Sequence, residues 1–436
     1  MNVSDSFPPY TEFGPSVPVW CVTPERPGCI HRFFDTSPIS PSGRFLAVFQ
    51  LPFEDRQPKP GEVGNVCLVD LRDGTMRVVS ETRGWEPQMG ANINWGGSDR
   101  ELFFNDIDTE TWRPFAWKLN PLTEERQRMA GAVYHASPDG RRLISANMTT
   151  MRKTQPGYGV QAPEETVRRN IGPVEDDGFY LTDTTTGEVR LFASVAELLA
   201  RADPPVKIDH PERQEIYGFH SKFNPQGDRL MLSLRWFEAA DEPRWDMFRN
   251  GKPGAVRFAW LTVSLDKKDV HCSVGPEYWE RGGHHATWFP DVERISMNLR
   301  IDRDDMRLVS VNADGSDLRK MHDRVVGSGH PTVFLDGRHV LADTYTRERG
   351  ASFGDGTIPL RWIDLATGEE QALVRINTAT PCEDSVMRVD PHPAWDRTWR
   401  YVTFNGFVGG TRRVFVADMA SRLQDVNGTV PVSSTS

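Results

Sequence analysis

Four histidines recur at one position of a repeated pattern. His220, His285, His330 and His392 each stand five residues before a turn position, occupied in turn by Pro225, Pro290, Leu335 and Arg397. Imidazoles brought to one axis in this way could converge on a divalent cation such as Mn, Zn or Ca, since neutral imidazole is a common metal ligand. The metal candidates are His285, His330 and His392; the alternative is that each histidine caps its own repeat by bonding to nearby backbone. A second row follows the second segment of each repeat: Gln50, Asn105, Asn147, Arg235, Arg300, Tyr345 with Arg347, and Asn405. Hydrogen-bonding side chains in a ring suit a polyhydroxyl ligand, and the forks of Arg235 and Arg300 match a carboxylate or sulfate. Trp236 could offer an apolar face to a sugar ring. Between 147 and 160 lies Pro156-Gly157-Tyr158-Gly159, expected to form a tight, exposed turn that presents a phenol. Arg152, Lys153, Arg168 and Arg169 make this the most basic stretch of the chain, a candidate lid or binding loop.

These residues are placed by a repeat. A short apolar segment, a turn of the Pro-Asp-Gly kind and a β-prone run recur seven times, at 37–50, 92–106, 133–147, 220–236, 285–300, 330–345 and 392–406. Each copy reads as two antiparallel strands joined by a tight turn. Alternating with them are seven copies of an apolar strand followed by a turn, at 67–79, 117–127, 180–192, 259–271, 308–320, 361–373 and 414–422. Four strands per unit and seven units predict an all-β, seven-bladed β-propeller. The last unit lacks a fourth strand, and the strand at 17–24 has no partner of its own, so it is expected to close the ring. One domain over 10–423 follows, with a tail at 424–436. In this register the residues before each inner strand and those after each second strand share one mouth.

Composition agrees with such a fold. Of 436 residues 38% are hydrophobic, including 13 Trp and 23 Phe, enough for a large core. Lys and Arg number 51 against 61 Asp and Glu, a net charge of −10, which argues against a nucleic-acid or anionic-membrane surface. An anionic ligand therefore needs a local basic cluster. The five cysteines form no CxxC pair and point to reduced thiols. No apolar run reaches membrane-spanning length, and the first residues carry no basic region followed by an apolar one, so a cytoplasmic protein is expected. Oligomeric state is not set by any of these features.

Several segments resemble a known group of enzymes: His31-Arg-Phe-Phe-Asp-Thr-Ser-Pro-Ile-Ser-Pro-Ser-Gly43, Pro156-Gly-Tyr-Gly159 with Asp176-Asp-Gly178, Leu234-Arg-Trp236, Gly327-Ser-Gly-His-Pro-Thr332 and Asp390-Pro-His-Pro-Ala-Trp-Asp396. Across the whole chain these look like the seven-bladed propeller carbohydrate-active enzymes, which include oligogalacturonate, ulvan and rhamnose–glucuronate lyases and related rhamnosidases. The resemblance implies β-elimination at a uronic acid, in which a cation or Arg neutralises the C5 carboxylate while His and Tyr exchange protons with the sugar. It makes Tyr158 the phenol, Arg235 a carboxylate-binding group and His220 an inner-mouth histidine. The related rhamnosidases carry a His before the first inner strand, for which His31 is the candidate. The chain departs from ulvan and rhamnose–glucuronate lyases at Asn92 and Trp112, where those have a His pair, and at Val389, where related propellers often have Cys. The expected activity is a lyase acting on an acidic oligosaccharide; hydrolysis of a rhamnose–uronate linkage and sugar binding without catalysis are the alternatives.

Overall fold

The computed structural model describes residues 3–240, 256–302, 305–346, 348 and 351–426. The strands form seven four-stranded antiparallel sheets, each joined in chain order except the last. Numbered by their inner strands, the blades begin at Cys29, Asn94, His135, Gln214, Gly283, Thr332 and Ala394. The seventh blade takes its outer strand, Val19–Cys21, from the N-terminal end, with Val19 opposite Ala417 and Cys21 opposite Phe415. The ring is therefore closed by hydrogen bonds between strands from the two ends of the sequence, which gives the seventh blade its full four strands.

Local chemistry explains the hairpins. In Ser137-Pro-Asp-Gly140 the Asp139 side chain accepts from the Arg141 amide, and Gly140 adopts φ +70°, a left-handed conformation that glycine reaches without strain. A Cβ at that position would lie 2.7 Å from the Gly97 nitrogen of the preceding blade. Strands buried on both faces read as apolar runs. Leu230, Leu232 and Leu261 of the fourth blade thus pack against Ile144 and Leu181 of the third, while Val48 and Val69 of the first meet Val414 and Val416 of the seventh. Val3 and Phe7, ahead of residue 10, are buried in that same layer. A helix at Ala420–Val426 follows the last strand. Among the described residues no helix is long and apolar enough to cross a membrane.

The first blade differs from the other six. Its inner strand is interrupted: Cys29–Ile30 pairs with Phe49 and Gln50, Ile39 bridges to Leu46, and residues 31–38 between them leave the sheet. This detour fills the central channel. The Phe33 ring lies 5.6, 6.0, 5.6 and 4.7 Å from those of His220, His285, His330 and His392. Asp35 bonds Lys222 of the fourth blade and Arg32, each at 2.8 Å, with all three side chains almost wholly buried. Burial alone would push the Asp35 carboxyl up, but Lys222 and Arg32 together hold it below the usual carboxylate range. Breaking a buried ion pair leaves an uncompensated charge. Lys222→Ala is thus expected to lower unfolding free energy by about 3 kcal/mol, measured by urea denaturation, because Arg32 still neutralises part of Asp35; an unchanged midpoint would mean that the plug is not held by this pair.

Candidate active site

The fourth-blade inner strand, Gln214–Phe223, loses register with its neighbour between Gly218 and Ser221. Such an irregularity re-aims side chains. It turns His220 toward the mouth, where its ring stacks on Tyr134 at 5.3 Å and its Nε2 has no hydrogen-bond partner among the described residues. Burial, reinforced by the positive charges of Lys222 and Arg235, drives the imidazole pKa well below its ordinary value. His220 is accordingly a neutral imidazole with a free nitrogen.

Tyr158 reaches the same place from the third blade. A short helix, Met151–Thr154, leads into the Pro156-Gly-Tyr-Gly loop, and the Val160 amide donates to Met148 O to close it. Gly159 has φ +84°, and a Cβ there would sit 2.4 Å from Met148 O. Instead of projecting into solvent as expected, the loop folds inward. The Tyr158 ring is 1% exposed, packed 5.4 Å from Phe219 and 5.9 Å from His220. The cause is apolar burial against the 134 and 219 rings, which outweighs the polarity of the turn. Burial raises the phenol to about 12, so it holds its proton at neutral pH.

Arg235 completes the group. Its Nη1 donates to Gln155 Oε1 at 2.6 Å, and its guanidinium lies 3.5 Å from the Phe219 ring centroid. No carboxylate pairs with it among the described residues, and its Nε is buried without a partner. Desolvation lowers its pKa to about 9. A buried cation without a counter-ion is costly until an anion is supplied. Tyr158, His220, Arg235, His284, His285 and Tyr345 line one cavity of about 210 Å³. Tyr345 also lines a neighbouring cavity with Arg388 and Asp390. Arg388, which stands at no repeat position, donates from Nε to Asp390 Oδ2 at 2.9 Å and from Nη1 to Ser385 O. Its signal was its place two residues before the Asp-x-His step.

His330 Nε2 and both nitrogens of His392 are buried and lack partners among the described residues. With Asp390 they place one ligand atom each within 4.8 Å of one another. His330 Nδ1 lies 2.9 Å from Asp343 Oδ2, which assigns the proton to Nδ1 and leaves Nε2 as a donor of electrons. His285 stacks on His330 with ring centroids 3.9 Å apart, yet its own nitrogens are engaged: Nδ1 with Gly329 O at 2.7 Å and Nε2 with the Tyr345 hydroxyl at 3.3 Å. The group whose ligand atoms converge is thus His330, Asp390 and His392, without the expected His285.

Several expected ligand-binding residues do other work. Asn105 bonds the backbone of Val133 through both amide atoms, at 2.8 and 2.7 Å, and Asn405 accepts from the His31 amide at 2.9 Å and donates to Asp390 O. These asparagines staple one blade to the next. Asn147 accepts from Thr149 and caps the turn that follows it. Arg152 holds the loop by bonding Gln161 Oε1 and Ala162 O. Trp236 is wholly buried among the leucines between the third and fourth blades, because alternation along its strand sends it away from the cavity that Arg235 faces. Arg300 is exposed and outside the lining of the Tyr158 cavity. His31 is buried beside the ring closure, with Nε2 3.3 Å from Pro391 O and its pKa lowered by burial to about 3; it does not line that cavity. Arg347 lies outside the described residues.

No protein-family model and no curated protein matches the sequence. Solved structures do. An oligogalacturonate lyase in complex with manganese aligns over 95% of this chain and 96% of its own, at 14% identity and a TM-score of 0.61. The crystal structure of an oligogalacturonate lyase from Vibrio parahaemolyticus aligns over the same shares, at 16% identity and a TM-score of 0.60. At these identities the likeness is one of fold.

Proposed function

We propose that this propeller cleaves uronate-containing oligosaccharides by β-elimination. The observation that carries the reading is Arg235: a buried guanidinium without a carboxylate partner among the described residues, beside a neutral imidazole and a protonated phenol. A uronate carboxylate supplies the missing anion. Its charge also offsets the field of Arg235 and Lys222, which makes His220 a stronger base once substrate is bound. His220 then takes the C5 proton, the electron pair of that C–H bond forms the C4=C5 double bond, the C4–O bond breaks, and the Tyr158 hydroxyl protonates the departing oxygen. Opposed pKa shifts in one cavity support the two roles: the group held neutral by a lowered value accepts a proton, and the group held neutral by a raised one donates it.

The metal reading rests on the same mouth. His330, His392 and Asp390 have the donor atoms, burial and supporting carboxylate that a divalent ion needs. Such an ion, when bound, would add charge neutralisation for the substrate carboxylate. The likeness to two oligogalacturonate lyases, one of them holding manganese, supports this reading. Hydrolysis is disfavoured because glycosidases use two carboxyl groups flanking the bond, whereas among the described residues no Asp or Glu lines the Tyr158 cavity. Incubation with a panel of uronate oligosaccharides is expected to produce an unsaturated, ultraviolet-absorbing uronate at the new non-reducing end. Shortened products without that absorbance would establish hydrolysis instead.

A further inference from the structure

Glu86 is a fully buried carboxylate at the entrance to the second blade, outside the chemistry assigned above. Its Oε1 accepts from Asn92 Nδ2 at 2.8 Å, and its Oε2 accepts from the Gly159 amide, the residue next to Tyr158. Asn92 in turn accepts from Arg32 Nε through Oδ1, and Arg32 bonds Asp35, which pairs with Lys222. A continuous buried chain thus runs from the fourth blade, through the channel plug and the second blade, to the loop of the third. Neighbouring Gln88 fastens the same loop a second time: its backbone N–H donates to Gly157 O at 3.2 Å, while its side-chain amide donates to Val386 O.

We infer that Glu86 is a positioning residue for Tyr158, holding the phenol in the mouth through the Gly159 amide only while its carboxylate is ionised. Both of its present partners are donors. Protonation turns one carboxyl oxygen into a donor as well, so an N–H of Gly159 or Asn92 would then face an O–H and that contact would be lost. The charged and titratable groups facing Glu86 are Arg32 from the plug, Tyr134 from the third-blade inner strand and Tyr158 itself. Burial outweighs the Asn92 and Gly159 bonds and the Arg32 charge, and lifts the carboxyl to about 7. Because this value is raised above that of the unfolded chain, ionisation costs folding stability as pH rises through it, while the positioning contact is gained over the same interval.

The catalytic part of this inference rests on Tyr158 being the proton donor; the positioning part does not. The sequence has two Tyr–Gly steps, 158–159 and 217–218, so protein labelled with 13C-carbonyl Tyr and 15N-Gly reports only the Gly159 and Gly218 amides. In the unaltered protein the Gly159 amide proton is expected to shift upfield as pH falls through about 7, with Gly218 as the internal comparison, and Glu86→Gln is expected to abolish the Gly159 transition. A Gly159 signal flat across this range, or one that titrates identically in Glu86→Gln, would overturn the inference. In turnover, Glu86→Gln is expected to reduce kcat about tenfold with KM little changed, the mark of a misplaced group. If Tyr158→Phe is inactive while Glu86→Gln keeps its kcat, Glu86 does not position the phenol. If Tyr158→Phe is fully active, it is the catalytic reading that has failed, and the amide titration still decides whether Glu86 holds the loop.

Discussion

Replacing Tyr158 by Phe is expected to reduce turnover by about 10²–10⁴-fold, the range for loss of a positioned proton donor, while uronate oligosaccharide binding stays close to that of the unaltered protein. The substitution removes one oxygen from a ring that is 1% exposed and packed on Phe219 and His220, so the surrounding aromatic cluster keeps its shape. Only the proton is lost. Because burial keeps the phenol protonated up to about 12, the defect should persist at every pH at which the protein is folded, instead of being rescued in alkali. Single-turnover kinetics alongside calorimetric binding separates the two effects. Turnover near that of the unaltered protein would remove Tyr158 from the reaction and leave the leaving-group proton to another side chain, with Tyr345 in the same cavity as the first to be tested.

The second large effect concerns the cation. Purified protein is expected to carry close to one divalent ion per chain by elemental analysis, and His392→Ala to lose it, since this removes one of three converging ligands. His392 is the informative position because neither of its nitrogens has a hydrogen-bond partner within normal distance among the described residues. His330→Ala, in contrast, would strand the buried Asp343 carboxylate. Asp343→Asn leaves all three ligands in place and is expected to weaken metal affinity by about 10–100-fold, the usual consequence of altering a carboxylate behind a ligating imidazole. His285→Ala should retain the ion, because the His285 nitrogens are already engaged by Gly329 and Tyr345. Absence of stoichiometric metal from the unaltered protein, or its loss from His285→Ala with retention in His392→Ala, would refute the His330, Asp390 and His392 assignment.

The architecture was legible because it is written in local, repeated chemistry. Turn residues at fixed offsets and runs of β-prone residues recur once per blade, and the unpaired strand at 17–24 together with an incomplete last unit announces the closure that pairs Val19 with Ala417. The register also brought Tyr158, His220 and Arg235 together, since each stands at a repeat position or insertion that opens on one face. Side-chain direction was not legible in the same way. Arg235 and Trp236 are neighbours in sequence, yet one lines the cavity and the other is buried between blades, because successive residues of a strand point to opposite faces. Asn105 and Asn405 satisfy backbone groups of adjacent blades, a task set by contacts over 28 and 374 residues that no local pattern encodes.

By itself, then, the sequence determined the number of blades, the closing strand and which segments face the mouth, because turns and strand periodicity act over a few residues. Only the tertiary structure decided that residues 31–36 plug the channel, that Asp390 and not His285 stands with His330 and His392, and that Glu86 reaches the Tyr158 loop. Each of these depends on a buried polar group finding a partner from a distant blade. Desolvation makes that choice compulsory, and it is made in three dimensions.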